Sequence, residues 1–375
     1  MDRLIDDIHE IIKDYRIEDG IGISKDHIKT WINQFDENDR EFILNELKLI
    51  FQKRYISKGR AQKIVREMIS FLAKFEEYIS PQEFLKECNF IDHQPEGKSQ
   101  KILLSFLDEI TIKEFGISIK ECNSPNAKFY VYFDDILCTG DTLVKGIGMQ
   151  KKGWFFQKHS NGKTNLEVFF ESKAKFIWAY FAIHKYGIEK AMRRLYHPAG
   201  KRHSPVHYAW EKEFAIDNDF DRVGSNLEFL YPLESSKNEK IENCEKHIED
   251  KITNFCESHE YPIPKKRFYR QEGLPKEETL FSSPENRIRF EKVMLVKCIE
   301  VYNSAENDNV RMRPLGYGLK TEMNFGFGAL IFSWRNVPFN VPMIFWYQHR
   351  GWKPLFERKF VTYSGESASL LEEGE

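Results

Sequence analysis

Two adjacent carboxylates, Asp134 and Asp135, follow the apolar run at 129–133 and precede the turn Thr139-Gly140-Asp141-Thr142. A continuous apolar run suits a strand covered on both faces, as in a parallel sheet. Ligands of open α/β sheets bind at the carboxyl ends of strands, and the acids stand at such an end. Carboxylates there can accept hydrogen bonds from sugar hydroxyls and can hold Mg²⁺ directly or through water. In the turn, Gly140 would let the backbone approach a ligand closely. Successive N–H groups and the hydroxyls of Thr139 and Thr142 can wrap a phosphate, and a helix beginning near Leu143 would add its N-terminal dipole. One strand-loop unit can thus hold both ends of a ribose 5-phosphate, with carboxylates on the 2′ and 3′ hydroxyls and the turn on the 5′ phosphate.

The register of apolar strand, acid pair, three intervening residues and T-G-x-T resembles the signature of type I phosphoribosyltransferases. That resemblance implies an α/β fold with a parallel sheet flanked by helices. It implies a donor of the phosphoribosyl pyrophosphate type bound with Mg²⁺. Asp134 and Asp135 would then be the catalytic and metal-holding acids, and Cys138, Thr139, Gly140, Asp141 and Thr142 the substrate-binding loop. A second loop is implied for the pyrophosphate. Gly97-Lys98-Ser99-Gln100-Lys101 can serve, with Lys98 and Ser99 as its binding residues, or can be a plain interdomain connection.

Two positions depart from the pattern. Asp141 places a charge close to the expected phosphate, which is unfavourable unless the side chain points away or a cation intervenes. Cys138 stands where some purine-salvage members carry an acid that handles the base's proton. It argues against that mechanism and leaves the fold untouched. No base is placed beside it in the sequence, so it is not assigned as a nucleophile.

The resemblance extends along the chain. A helical front, the acid-pair core, Arg313-Pro314-Leu315-Gly316-Tyr317-Gly318, and a tail of Asn336, Pro338, Asn340, Pro342, Trp346, Trp352, Pro354, Leu355, Phe356 and Arg358 look like phosphoribosyltransferase-like proteins of bacterial conflict systems. The resemblance implies an effector of antiphage defence, a toxin acting on a nucleotide or RNA. Its partner would be a reverse transcriptase with its RNA or DNA, or an ATPase. A non-catalytic nucleotide-sensing or assembly subunit of such a complex is the alternative.

The elements that must position these residues follow from periodicity. Residues 1 to about 80 read as helices, with Leu4, Ile5, Ile8, Ile11 and Ile12 at helical spacing and Asp36 as an N-cap. Ile64, Met68 and Phe71 mark a further helix. The polar stretch 91–100 is a loop or boundary. A hairpin is expected around Ser160-Asn161-Gly162, and a second buried strand over 175–186. Gly187 is expected to turn the chain into a helix carrying Ile188, Ala191, Met192 and Leu195. These units suggest βαβ connections. Residues 192–203 and 265–270 are basic clusters, and 234–257 and 287–301 read as helices. The expected divisions are 1–90, a helical segment; 91–232, the core; and 233–375, a helical insertion with an aromatic-rich C-terminal β extension.

In that extension Arg313, Arg335, Arg350 and Arg358 lie among Tyr317, Trp334, Trp346, Tyr347 and Trp352. They could grip phosphates while rings stack on bases. The preferred reading is an aromatic cap packed on the core, with arginines satisfying carbonyls. His203 and His207 lack a Cys or Asp/Glu framework for a metal and read as loop residues.

Among 375 residues, 30% are charged and 41% hydrophobic, as in soluble globular chains. The net charge of −2 gives no global attraction to nucleic acid or anionic membranes. The acidic N-terminus lacks the features of a signal peptide, and no run is long and apolar enough to span a bilayer. Six scattered cysteines without a CxxC pair suit reduced thiols. The expected location is the cytoplasm.

Overall fold

Amphipathic spacing places α1 at Asp2–Ile12, α2 at Lys25–Ile32 and α3 at Glu37–Arg54, followed by the short strand β1 (Tyr55–Ile56), α4 (Lys58–Phe75) and α5 (Pro81–Lys86). These come from a computed structural model, which describes residues 1–93, 99–122, 127–148, 152–159, 162–199, 207–209, 215–219, 224–305, 309–349 and 351–358. Lys98, Ser160, Asn161, His203, Arg350 and the acidic tail from residue 365 lie outside the described residues. Asp36 does stand at the N-cap of α3, but its side chain makes no capping hydrogen bond. Ser57 and Ser80 cap α4 and α5 through their hydroxyls.

The chain continues through β2 (Cys88–Phe90), α6 (Ser99–Phe115), β3 (Phe129–Leu137), α7 (Asp141–Leu143), α8 (Asn165–Glu171), β4 (Lys175–His184) and α9 (Lys185–Ala199). Next are β5 (His207–Ala209), β6 (Ala215–Ile216), α10 (Glu239–Ser258), α11 (Pro284–Ser304) and β7 (Phe332–Ser333). The main sheet runs β2-β3-β4-β5, and every pair in it is parallel. β6 also pairs with β4 in parallel, at Ile183 and His184. A bridge between Lys158 and Thr164 flanks the expected hairpin tip.

Alternation along β3 and β4 explains their unbroken apolar sequence. Val131, Phe133, Ile177, Ala179 and Phe181 face a large core shared with α1–α6, α10, α11 and the C-terminal segment. Tyr130, Tyr132, Phe176, Trp178 and Tyr180 face a second core with Trp154, Phe169, Ala191 and Leu195. The sheet is therefore sandwiched between two apolar layers, and its polar groups stand at the strand ends, among them Lys175 at the amino edge and the acid pair at the carboxyl edge.

The C-terminal extension contributes β7, which pairs in parallel with β1; its remaining described course is mostly turns. It is an aromatic cap packed on the core. Trp334, Trp346 and Trp352 are buried. Trp346 Nε1 donates to the Val341 carbonyl and Trp352 Nε1 to the Ile344 carbonyl. Arg313 donates to the Leu319 carbonyl, and Arg358 donates to the Val337 carbonyl while lying over the Phe339 ring. The front helices clasp this cap. Trp31 Nε1 donates to the Ile344 carbonyl at 3.1 Å, and Gln34 exchanges two hydrogen bonds with Lys353.

The basic cluster at 265–270 is used internally. Lys266 pairs with Glu249, and Arg270 is buried against Glu291. All six cysteines are buried and free. No helix among the described residues is long and apolar enough to cross a membrane.

Candidate functional site

β3 runs four residues past the apolar run, so Asp134 and Asp135 lie within the strand and not after it. Asp134 is in register with Tyr180 and Leu137 with Ile183. Asp134 is buried and Asp135 half-buried. Asp134 Oδ1 accepts the Asp135 N–H at 2.9 Å, and Asp135 Oδ1 accepts the Ile136 N–H at 2.7 Å. One oxygen of each carboxylate is thereby oriented by backbone. The Tyr132 hydroxyl stands 3.5 Å from Asp134 Oδ2, and Arg335 Nη2 stands 3.9 Å from Asp135 Oδ2.

These two carboxylates offer hard oxygen donors of the kind Mg²⁺ prefers. Among the described residues no third acid, histidine or cysteine joins them. That donor set fits Mg²⁺, which commonly takes one or two carboxylates and completes its shell with water and phosphate oxygens.

Cys138 is buried. Desolvation, and then the charge of Asp135, push its thiol well above the ordinary value. It is a neutral thiol, as expected of a residue with no adjacent base.

Gly140 has φ +73°, which favours glycine. The space its side chain would fill holds Ala191 Cβ at 2.5 Å and the Gly187 carbonyl oxygen at 3.0 Å. The missing side chain at Gly140 admits α9 to the loop on its Cβ side. Gly187 is the reciprocal contact. It lies inside the first turn of α9 and does not turn the chain, and a Cβ there would overlap the Cys138 carbonyl oxygen. The N–H of Tyr186 donates to buried Asn218 Oδ1 at 3.0 Å, which fixes the start of α9 from a distant segment.

Thr139 is half-buried and accepts the Asp141 N–H at 3.4 Å; Thr142 is exposed. The helix expected near Leu143 is the single turn α7, continued by a π-helical turn over Val144–Gly148. Asp141 resolves its own charge problem by the second of the two routes open to it. Arg194 Nη1 lies 2.8 Å from Oδ1, Arg311 Nη2 2.6 Å from Oδ2, and Lys145 Nζ 3.8 Å away. Burial alone would raise the Asp141 pKa, but the two guanidinium groups outweigh it and hold the carboxyl below its ordinary value.

A cavity of about 490 Å³ opens beside the loop, lined by Thr139, Asp141, Lys145, Arg194, Arg311 and Lys320 among others. Asp134 and Asp135 do not line it. Lys98 lies outside the described residues, and Ser99 opens α6. β2 ends at Phe90, in register with Val131 of β3.

Four cations of the site were not singled out as site residues from the sequence. Lys145 stands four residues after Asp141, a spacing that signals a helical ion pair. Arg194 lies in the basic patch at 192–203, and Arg335 is one of the tail arginines. Arg311 reaches Asp141 across 170 residues, with no local signal.

His184 closes the end of β4 beneath the loop. Its Nδ1 lies 2.9 Å from the Leu137 carbonyl, which can only accept, so Nδ1 carries the proton. Nε2 is buried with no hydrogen-bond partner among the described residues. Desolvation lowers its pKa from 6.5 to about 4. The folded state then binds fewer protons than the unfolded state between those values, so the contribution is intact above pH 6.5 and lost as pH falls towards 4. The expected loss is about 2 kcal/mol between roughly pH 7.5 and pH 5. Urea unfolding across that range checks it. A His184→Gln variant should lose this slope, and an unchanged slope would place the acid sensitivity elsewhere.

The model of the PRTase-CE family matches residues 28–358. No curated protein and no solved structure matches the chain. The matched span takes in the acid pair, the loop, α9 and the aromatic cap up to Arg358.

Proposed function

The chain belongs to the PRTase-CE family, a phosphoribosyltransferase-like family, and from that premise we propose that it binds a ribose 5-phosphate donor of the phosphoribosyl pyrophosphate type with Mg²⁺ and reacts it at the anomeric carbon. The observation that carries this reading is one continuous segment at the carboxyl edge of a parallel sheet. It presents Asp134 and Asp135, oriented by backbone N–H groups, four residues before the Thr139–Thr142 turn.

In this reading the acids accept hydrogen bonds from the 2′ and 3′ hydroxyls, and the turn holds the 5′ phosphate. Arg194 and Arg311 cancel the charge of Asp141, so a phosphate can approach the loop without meeting a bare carboxylate. The bond from C1′ to the diphosphate oxygen breaks and the leaving group keeps the electron pair, while a nucleophile of the nucleotide or RNA acceptor gives an electron pair to C1′ and releases its proton to water. The carboxylates lie near the oxocarbenium-like centre and stabilise its positive charge. The chain supplies positioning and electrostatics more than proton transfer. Mg²⁺, held by the carboxylates of Asp134 and Asp135, would supply charge neutralisation for the diphosphate. The defence role implied by the sequence resemblance, as an effector acting on a nucleotide or RNA beside a partner, belongs to the same proposal.

A second reading, binding without turnover, draws on the contact between Arg335 and Asp135. In this reading the Arg335 guanidinium beside Asp135 would oppose a positive charge developing there.

Calorimetric titration of phosphoribosyl pyrophosphate with Mg²⁺ tests the site. The parent should bind, and an Asp134→Asn/Asp135→Asn double variant should bind about 100-fold more weakly, since each acid makes a charged hydrogen bond. A folded parent that does not bind sinks the reading. Pyrophosphate release on adding nucleotide or RNA acceptors separates turnover from sensing.

A further inference from the structure

The cavity beside the loop shares Thr139 and Asp141 with the proposed phosphate turn and extends away from the acid pair, with cations in excess among its described lining residues. Among the described residues, Lys145, Lys190, Arg193, Arg194, Arg311 and Lys320 line it, with Asp141 as the lining carboxylate. Lys190 is paired with Glu322 and Arg193 with Glu189. Arg194, Arg311 and Lys145 share Asp141. Arg311 Nε is buried with no hydrogen-bond partner among the described residues. Burial lowers the Lys145 pKa, and Arg311, Lys320 and Arg194 press it in the same direction against the opposing pull of Asp141. An incoming anion would relieve this crowding of cations around one carboxylate.

A second part of the wall is aromatic. Phe255, His259 and Tyr261 line the cavity from the end of α10 and the residues after it. The His259 and Tyr261 rings are 3° from parallel with centroids 6.0 Å apart. Tyr261 is 49% exposed, so its ring is not consumed by the core. Lys320 bridges the two parts, with its ammonium 5.3 Å from the Phe255 ring centre. Cations beside an exposed ring stack suit a ligand that carries phosphates at one end and a flat base at the other. The volume of about 490 Å³ suits one small molecule and not a polymer.

We propose that this cavity binds a nucleoside polyphosphate, its phosphates on Arg194, Arg311, Lys145 and Lys320 and its base against Tyr261 and His259. Asp141 is then an internal anion that competes with the phosphates for the same guanidinium groups. The site goes beyond the ribose-phosphate reading, because Asp134 and Asp135 take no part in it.

The test is calorimetric titration of the full chain with ATP, with inorganic tripolyphosphate as a base-free probe and a single-stranded RNA 12-mer as a polymer probe. ATP should bind the parent. Tyr261→Ala should weaken ATP by about tenfold, the loss expected for one stacked base, and leave tripolyphosphate unchanged. Arg311→Ala should weaken both, and Asp141→Asn should tighten both. The Asp134→Asn/Asp135→Asn variant should bind ATP as the parent does even if phosphoribosyl pyrophosphate binding is lost or never seen. Absence of ATP binding by the folded parent overturns the proposal. So does an equal loss of ATP and tripolyphosphate in Tyr261→Ala, a loss of ATP binding in the acid-pair variant, or RNA binding tenfold tighter than ATP.

Discussion

Glu291→Ala is expected to lower the unfolding free energy by about 3–5 kcal/mol, the cost of breaking a buried ion pair from one side. Glu291 is fully buried on α11. Its Oε2 accepts from Arg270 Nη2 at 2.9 Å and Nε at 3.2 Å, and its Oε1 accepts the Tyr231 N–H at 3.3 Å. Arg287, one turn away, stands 3.5 Å from Oε1 and in ionic contact with Glu278 at 3.1 Å. Burial raises the Glu291 pKa and lowers that of Arg287, so each charge is tolerated only through its partners. Both arginines also hold carbonyls: Arg270 those of Tyr231 and Leu274, Arg287 that of Leu227. The network therefore ties residues 227–231 and 270–274 to α11.

Removing the carboxylate leaves two buried guanidinium groups with one acid between them and frees the Tyr231 N–H. Urea unfolding measures the loss, and Glu291→Gln should fall between parent and alanine because it keeps the shape and one acceptor. A cost below about 1 kcal/mol for Glu291→Ala would mean that water reaches the site and rescues the charges.

The contrast between this network and the loop shows what the sequence makes legible. The strand, the acid pair and the turn are contiguous, and their types carry local physics: apolar continuity for a two-faced strand, glycine for a positive φ, threonines for a phosphate. The strand and the turn are legible from these types, with the strand end four residues later than the apolar run because acids inside a buried strand look like the start of a loop. The partners of Asp141 were not read. Arg194 and Arg311 come from 53 and 170 residues away, and only the fold brings them to one carboxylate. The basic cluster at 265–270 shows in the sequence only as a run of charge, because the acids that pair with Lys266 and buried Arg270 lie on α10 and α11. The aromatic cap was legible as packing material, but its course was not. Its turns are set by Trp31, Gln34 and other residues of the front helices, more than 300 positions earlier.

Gly187→Ala should destabilise the chain by about 3 kcal/mol and weaken phosphoribosyl pyrophosphate binding by about 100-fold, against the sign that helix propensity predicts. Alanine replacing glycine inside a helix ordinarily stabilises by about 0.5–1 kcal/mol. Gly59, inside α4, has open space around its would-be Cβ, so Gly59→Ala should show that ordinary behaviour. At Gly187 a Cβ meets the Cys138 carbonyl oxygen far inside 3.0 Å, the limit for real Cβ contacts. The obstacle is backbone and has no rotamer to escape into, so overpacking of this kind costs about 1–3 kcal/mol or more. Relief requires α9 or the loop to move. α9 is held by the Asn218 cap and by Arg194 on Asp141, and the loop is held by the Gly140–Ala191 contact. Whichever gives way, Thr139 to Thr142 shift relative to Asp134 and Asp135, and misplacement by about 1 Å suffices for a 100-fold loss. Denaturation midpoints and calorimetry on the two alanine variants decide the matter. If Gly187→Ala is as stable as Gly59→Ala and binds as the parent does, the close seat of the loop on α9 is not what positions the site.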